Sequence, residues 1–168
     1  MRNRNGLALL VSAFVLSACA SMLAPDINPN DPQAVARAIS IKRDEFKKVT
    51  NYTGPDASNF PDSVFIRAWK PDNGRISYQI YVRDQYEGDW RYYDSAHDAN
   101  GNRLETTVID REVLTCHRGC TLWEHLGINV SREYLEKQQN QGIRFKISGK
   151  AGEEIFIIPP AYIKAFLA

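Results

Sequence analysis

The chain has 168 residues, of which 43% are hydrophobic and 24% are charged, and its 21 Lys and Arg residues nearly balance 20 Asp and Glu residues. This composition is typical of a folded soluble domain and excludes a disordered or coiled-coil protein. The near-neutral charge also excludes electrostatic capture of nucleic acid as a main function. We therefore expect one ordinary domain and no nucleic-acid partner.

The N-terminal segment has the order of features that is typical of a secretory signal. Arg2 and Arg4 precede an apolar run over residues 7–18, which is too short to span a bilayer as a stable helix. Removal of residues 1–18 takes away both arginines and no acidic residue, so the formal net charge changes from +1 to about −1. We exclude this segment from the folded domain.

The signal segment ends Leu16-Ser17-Ala18-Cys19, which resembles the lipobox of bacterial lipoproteins. In that family the cysteine takes a diacylglycerol thioether, the peptide bond before it is cut, and the new amine is acylated. The resemblance implies a membrane anchor through lipid on Cys19. Ala20 and Ser21 follow without an adjacent Asp, which by resemblance to enterobacterial sorting implies the periplasmic face of the outer membrane. The alternative is a plain secretory peptide with a chance cysteine.

Residues 19–30 are interpreted as a lipidated tether between the anchor and the domain. They contain Pro25 and Pro29 and no periodic apolar face, which favours an irregular linker. Acyl chains contribute about 0.8 kcal/mol per buried CH₂, so the domain itself needs no membrane-binding surface. Residues 31–168 are predicted to form a single domain.

The first predicted elements of the domain are a helix and an extended segment. Asp31 is a suitable N-cap and Pro32 suits the first helical position, so we predict a short helix over residues 32–39. Residues 46–53 favour an extended segment that ends at Gly54-Pro55.

Two hairpins are predicted next. The apolar run 64–69 ends at the turn Pro71-Asp72-Asn73-Gly74, after which Ile76, Tyr78, Ile80 and Val82 alternate with more polar residues. Residues 89–96 and 103–114 flank Asn100-Gly101, a dipeptide that supplies positive φ, and are predicted to form the second hairpin.

The C-terminal part predicts two helices and a third hairpin. Ser131 is a suitable N-cap for a helix that ends before Gly142, and Pro160 opens a terminal helical turn. Residues 143–148 and 154–159 form the predicted hairpin, and the segment 155–158 is apolar on both faces, so we expect it in the centre of the sheet. The sum is an α+β fold with an antiparallel sheet of about six strands and two or three short helices.

Cys116 and Cys120 are the thiols that remain after lipidation of Cys19, and we expect a structural disulfide between them. Two alternatives stay open. The spacing resembles the copper-binding motif of periplasmic copper chaperones, in which case His117 or His125 would complete the site. However, Thr121 stands where that family has proline, and no βαβ pattern is visible. The second alternative is thiol exchange, for which the C-x-x-C spacing is absent.

No pattern in the chain indicates catalysis or a cofactor. The motifs G-x-S-x-G, H-E-x-x-H and the phosphate loop are missing. Asp110 and Glu112 lie two residues apart on a predicted strand, and we interpret them as a solvated charged face. We therefore expect a protein that is not an enzyme.

Aromatic residues are concentrated within residues 78–93, and strand alternation is expected to turn some of them away from the core. We predict a partner-binding face that carries Tyr81, Arg83, Arg91 and Tyr93, because tyrosine and arginine are common in interfaces. The competing interpretation places these side chains in the core.

The expected function is a binding or structural module for an envelope protein or glycan. The mature domain resembles small proteobacterial lipoproteins without assigned activity. The alternative function is a periplasmic copper-binding or thiol-redox protein.

Overall fold

The computed structural model describes residues 27–59, 61–117 and 119–168. The predicted signal peptide at residues 1–18, the lipidation site Cys19 and most of the predicted tether lie outside the described residues. None of the helices within the described ranges is long and apolar enough to cross a membrane.

The described residues form three short helices and one antiparallel sheet of nine strands in the order β1-β2-β3-β4-β7-β6-β5-β8-β9. The helices are α1 (Pro32–Ala38), α2 (Arg132–Gln138) and α3 (Pro160–Leu167). The strands are β1 (Ser40–Asp44), β2 (Val49–Thr53), β3 (Ser63–Pro71), β4 (Ser77–Glu87), β5 (Tyr93–Asp98), β6 (Arg103–Cys116), β7 (Cys120–Val130), β8 (Ile143–Gly149) and β9 (Glu153–Ile158). The α+β class is confirmed, but the prediction of about six strands is wrong.

The two strands that the sequence reasoning did not assign are β1 and β7. Strand β7 lies in the middle of the sheet and pairs with β4 on one side and β6 on the other. Its apolar alternation is interrupted by Glu124 and His125, one on each face, so a test based on apolar spacing misses it.

The helix caps and the β3–β4 hairpin are confirmed. Asp31 Oδ1 accepts hydrogen bonds from the backbone of Gln33 and Ala34, and Ser131 Oγ accepts one from the backbone of Tyr134. Strands β3 and β4 pair in an antiparallel register with Ile66 opposite Ile80.

One face of the central strands, the inner face, packs against all three helices. It carries buried apolar side chains from β3, β4 and β7, and each helix adds side chains to the same core. The members are Val64, Ile66, Ala68, Tyr78, Ile80, Val82, Leu122, Leu126 and Ile128 from the strands, with Val35, Leu135, Tyr162 and Ile163 from the helices. The opposite side of these strands is called the outer face below.

The Tyr162 phenol connects helix α3 to the chain beside the sheet by two hydrogen bonds. The Tyr162 hydroxyl donates to the carbonyl oxygen of Pro55 at 2.6 Å and accepts from the backbone N–H of Ile66 at 3.3 Å. Gly54 permits this approach, because a Cβ atom at that position would collide with the hydroxyl.

The hairpin of β8 and β9 is confirmed, but the expected central position of β9 is wrong. Strand β9 is the last strand of the sheet, and Ile155 and Ile157 on its outward side are 44% and 57% exposed. Strand β9 is at the edge because, among the described strands, it pairs only with β8, and one of its two apolar faces is therefore left partly exposed.

The predicted hairpin of residues 89–96 with 103–114 forms only at its turn end. Ala96 and His97 pair with Leu104 and Arg103, and β5 then leaves β6 and pairs along β8. Tyr92, directly before β5, has a positive φ of 55°, which redirects the chain. Residues 89–92 are therefore not part of a strand.

Candidate functional site

The outer face of β3, β4 and β7 carries an aromatic and cationic group of side chains. Alternation along each strand turns these residues away from the apolar core. The group, called the outer-face cluster below, consists of Arg67, Tyr81, Arg83, Trp123 and His125.

Arg83 and His125 form the centre of the outer-face cluster, because they lie directly opposite each other on β4 and β7. His125 is only 8% exposed, and the Nε atom of Arg83 is equally removed from solvent. Within the described part of the chain, His125 Nε2 and Arg83 Nε have no hydrogen-bond partner. A buried donor without an acceptor is costly, so packing among the described residues leaves the polar centre of the outer-face cluster unsatisfied.

Tyr81 fixes the orientation of the His125 ring. The Tyr81 hydroxyl and His125 Nδ1 lie 2.5 Å apart and share a hydrogen bond. Burial lowers the pKa of His125, against the opposing effect of Glu112 and Asp110, so the neutral imidazole is favoured. When the phenol donates to Nδ1, the imidazole proton is on Nε2, which makes Nε2 a donor towards the outer face.

The arginines of the cluster are stacked on aromatic rings. The Arg83 guanidinium lies 4.6 Å from the ring centre of Trp123, and the Arg67 guanidinium lies 4.9 Å from that of Tyr81. Such stacking holds the planar cation in one orientation. Arg83 also donates from Nη2 to the carbonyl oxygen of Pro61 at 3.2 Å.

A chain of amides supports Arg67. Gln79 Oε1 accepts from Arg67 Nε at 3.0 Å, and Gln79 Nε2 donates to Asn129 Oδ1 at 2.7 Å. The Gln79 amide lies against Gly127, where any side chain would overlap it. Gly127 thus leaves the space in which the Gln79 amide lies, a role that its sequence context did not reveal.

The cluster is acidic along its β6 border. Asp110 lies opposite His125, and Glu112 lies opposite Trp123, with Glu112 Oε1 3.5 Å from His125 Nε2. Both carboxylates are exposed, as expected for a solvated charged face. The outer face therefore presents cations on β3 and β4 and carboxylates on β6.

The prediction that Arg91 and Tyr93 share this face with Tyr81 and Arg83 is wrong. Tyr93 is fully buried on the inner side, where its hydroxyl donates to Asp84 Oδ2 at 2.7 Å. Arg91 Nη1 donates to the same oxygen at 3.0 Å. The turn at Tyr92 breaks the strand alternation on which the prediction depended.

Glu124, which the sequence reasoning missed, is the centre of a second polar group on the inner side. It is 1% exposed and accepts hydrogen bonds from Tyr86 Oη, from the backbone N–H groups of Tyr92 and Tyr93, and from Arg111 Nε at 2.8 Å. These bonds hold the redirected chain before β5. We call this group, with Asp84 and Arg91, the inner network.

Asp84 is the other acid of the inner network and lies directly opposite Glu124. It is 2% exposed, and burial raises its pKa to about 6 although the Tyr93 hydroxyl and Arg91 favour the charged form. The sequence did contain a signal for these two buried acids. Side chains alternate between the two faces of a strand, and Asp84 and Glu124 stand at positions of β4 and β7 that belong to the apolar face.

Cys116 and Cys120 form a disulfide across the exposed tip between β6 and β7. His125 lies five residues further along β7, about 17 Å away at about 3.4 Å per residue. One metal ion cannot bind both ends of that distance. The described residues also contain no group of three His, Cys, Asp or Glu side chains that could hold a metal, so nothing here favours the copper alternative with His117 or His125.

No protein-family model, curated protein or solved structure matches this chain.

Proposed function

We propose that this chain is a binding module, anchored by lipid on Cys19 to the periplasmic face of the outer membrane, whose outer-face cluster binds an envelope protein or glycan. The observation that carries the proposal is the arrangement of the outer-face cluster, in which Arg83 and His125 lie opposite each other beside Trp123 and Tyr81. Among the described residues, neither Arg83 Nε nor His125 Nε2 has a hydrogen-bond partner, although Glu112 Oε1 lies 3.5 Å from His125 Nε2.

The chemistry of the pair indicates the group that it binds. Two N–H donors in a partly dry setting favour a carboxylate or another strong acceptor. Trp123 and Tyr81 border the donors and add the rigid aromatic surface that is common at binding interfaces. Asp110 and Glu112 on β6 would repel an anionic group of the partner, so such a group would bind on the β4 side of the cluster.

The test compares two double variants of the same residue types. Arg83→Gln with His125→Gln removes both donors, whereas Arg144→Gln with His97→Gln changes an arginine and a histidine on the outward side of β8 and β5. We expect the first variant to lose at least tenfold in capture of a partner from detergent-solubilised outer membranes, and the second to capture like the unaltered chain.

A parallel binding measurement on an isolated acidic envelope glycan separates a glycan from a protein partner. Both double variants must first keep their free energies of unfolding, measured with denaturant, within about 1 kcal/mol of that of the unaltered chain. Equal capture by the two variants, with both folded, would refute a role for the Arg83 and His125 donors.

The anchor is tested independently of the binding site. Cys19→Ser is expected to give a soluble or unprocessed protein in place of one that fractionates with the outer membrane, because the acyl chains supply the membrane affinity. Retention of a processed Cys19→Ser protein in the outer-membrane fraction would overturn the lipoprotein proposal and leave the outer-face cluster unaffected.

A further inference from the structure

Strand β6 is paired along most of its length on one side only. It has 14 residues and pairs with β7 from Glu105 to Cys116, with register shifts that skip Ile109 and Leu114, whereas β5 pairs only with Arg103 and Leu104. Among the described residues, no strand lies beside β6 from residue 105 onward on the side that faces away from β7. That side presents a row of backbone groups available for pairing.

The same stretch is rich in exposed apolar side chains. Val108 and Ile109 are 40% and 43% exposed, and Val113 and Leu114 are 56% and 47% exposed. A free strand edge with exposed β-branched residues is suited to the addition of another strand.

The charge pattern argues against a second copy of this chain as the added strand. Two copies related by a two-fold axis pair antiparallel, with outer-face residues opposite outer-face residues. A two-fold axis at Arg111 places Asp110 against Glu112 of the second copy, and an axis at either acid places that acid against itself. These like charges directly opposite each other destabilise self-pairing in the registers centred on residues 110–112.

We propose that the free edge of β6 binds an extended segment of a partner protein in which Lys or Arg residues alternate with apolar residues. The cations would lie beside Asp110 and Glu112, which are exposed and on the outer face. The apolar residues would lie beside Val108 and Val113, which face the other way. Backbone hydrogen bonds would supply affinity, and this alternation would supply specificity.

The probe is a labelled ten-residue peptide, (Lys-Val)₅ with blocked ends, and the protein is the full-length chain in a mild detergent. Fluorescence anisotropy measures binding, and amide hydrogen exchange locates it. We expect the peptide to bind and to slow exchange within residues 105–116, with no change in β1, the short edge strand at the other side of the sheet.

Two controls separate strand addition from simple charge attraction. A peptide with the same side chains but N-methylated at alternate residues cannot pair along the edge, and we expect it to lose at least tenfold in affinity. The variant Asp110→Asn with Glu112→Gln should also lose at least tenfold, whereas Asp94→Asn with Glu133→Gln, two exposed acids elsewhere, should bind like the unaltered chain.

Equal affinity for the N-methylated peptide, or protection outside residues 105–116, would overturn the proposal. A concentration-dependent dimer in sedimentation, with amide exchange slowed in residues 105–116, would show that a second copy of this chain occupies the β6 edge and would overturn the proposed partner segment. The double variant Arg83→Gln with His125→Gln is expected to bind the peptide normally, so this inference and the proposed function can fail separately.

Discussion

The inner network and the outer-face cluster lie on opposite sides of the same two strands, at neighbouring positions. Asp84 and Glu124 face each other across β4 and β7 on the inner side, and Arg83 and His125 face each other one residue further on the outer side. Glu124 accepts four hydrogen bonds within the chain, whereas His125 Nε2 and Arg83 Nε find no partner in the described residues. Among the described residues, the buried polar groups are thus fully hydrogen-bonded around Glu124 on the inner face, whereas two buried nitrogens of the outer face have no hydrogen-bond partner.

The largest expected effect comes from breaking the inner network. Glu124→Gln removes a buried charge beside Arg111 and should reduce the free energy of unfolding by about 3 kcal/mol or more. Glu112→Gln on the exposed side should change it by no more than about 0.5 kcal/mol. Denaturant unfolding of both variants checks the contrast, and a small loss for Glu124→Gln would show that the inner network is not a main source of stability.

The pH dependence of stability should come in part from Asp84. Its pKa is raised to about 6 from 3.8, so between these values the folded chain keeps a proton that the unfolded chain loses. Stability from this group is therefore present at low pH and falls as pH rises through that window, by about 3 kcal/mol.

Asp84→Asn should remove this slope. The measurement is a series of denaturant midpoints from pH 4 to pH 7, with Asp94→Asn, an exposed acid on β5, as the control that keeps the slope. An unchanged slope in Asp84→Asn would contradict the assignment of the raised pKa to this carboxyl.

The disulfide lies at the tip of the β6–β7 hairpin, which carries residues of both the inner network and the outer-face cluster. The double variant Cys116→Ser with Cys120→Ser should lose only about 2 kcal/mol of stability, because a disulfide that closes a short loop restricts the unfolded chain less than one that closes a long loop. Cys116→Ser alone should be worse, since it leaves a reactive thiol. Thermal melting with and without reductant measures the effect, and unchanged melting on reduction would refute a stabilising role.

The smallest expected effect is on the outer face. Tyr81→Phe removes the hydroxyl that orients His125 but keeps the stacked ring, so we expect a loss of about 1 kcal/mol. Tyr93→Phe, which leaves Asp84 without its phenol donor, should cost more, about 1–3 kcal/mol. A loss for Tyr81→Phe that equals or exceeds that for Tyr93→Phe would reverse the comparison between the two faces.

Local chemistry was sufficient to predict the caps and turns of this protein. Asp31 and Ser131 start helices because their side chains accept from the free backbone donors of the first turn, and the sequence around Pro71 and Gly74 brings β3 and β4 together. The outward placement of Tyr81 and Arg83 also followed from alternation along a regular strand. The disulfide between Cys116 and Cys120 was predicted from the even number of cysteines within residues 31–168.

Only the tertiary structure decided the sites that depend on non-local pairing. Strand β7 stays hidden in the sequence because Glu124 and His125 break its apolar pattern, and their environments come from β4, β6 and the turn at Tyr92. That turn, with a positive φ that Glu124 stabilises from another strand, also moves Arg91 and Tyr93 to the inner side. Alternation is a local rule and fails where a distant carboxylate holds the backbone in another conformation.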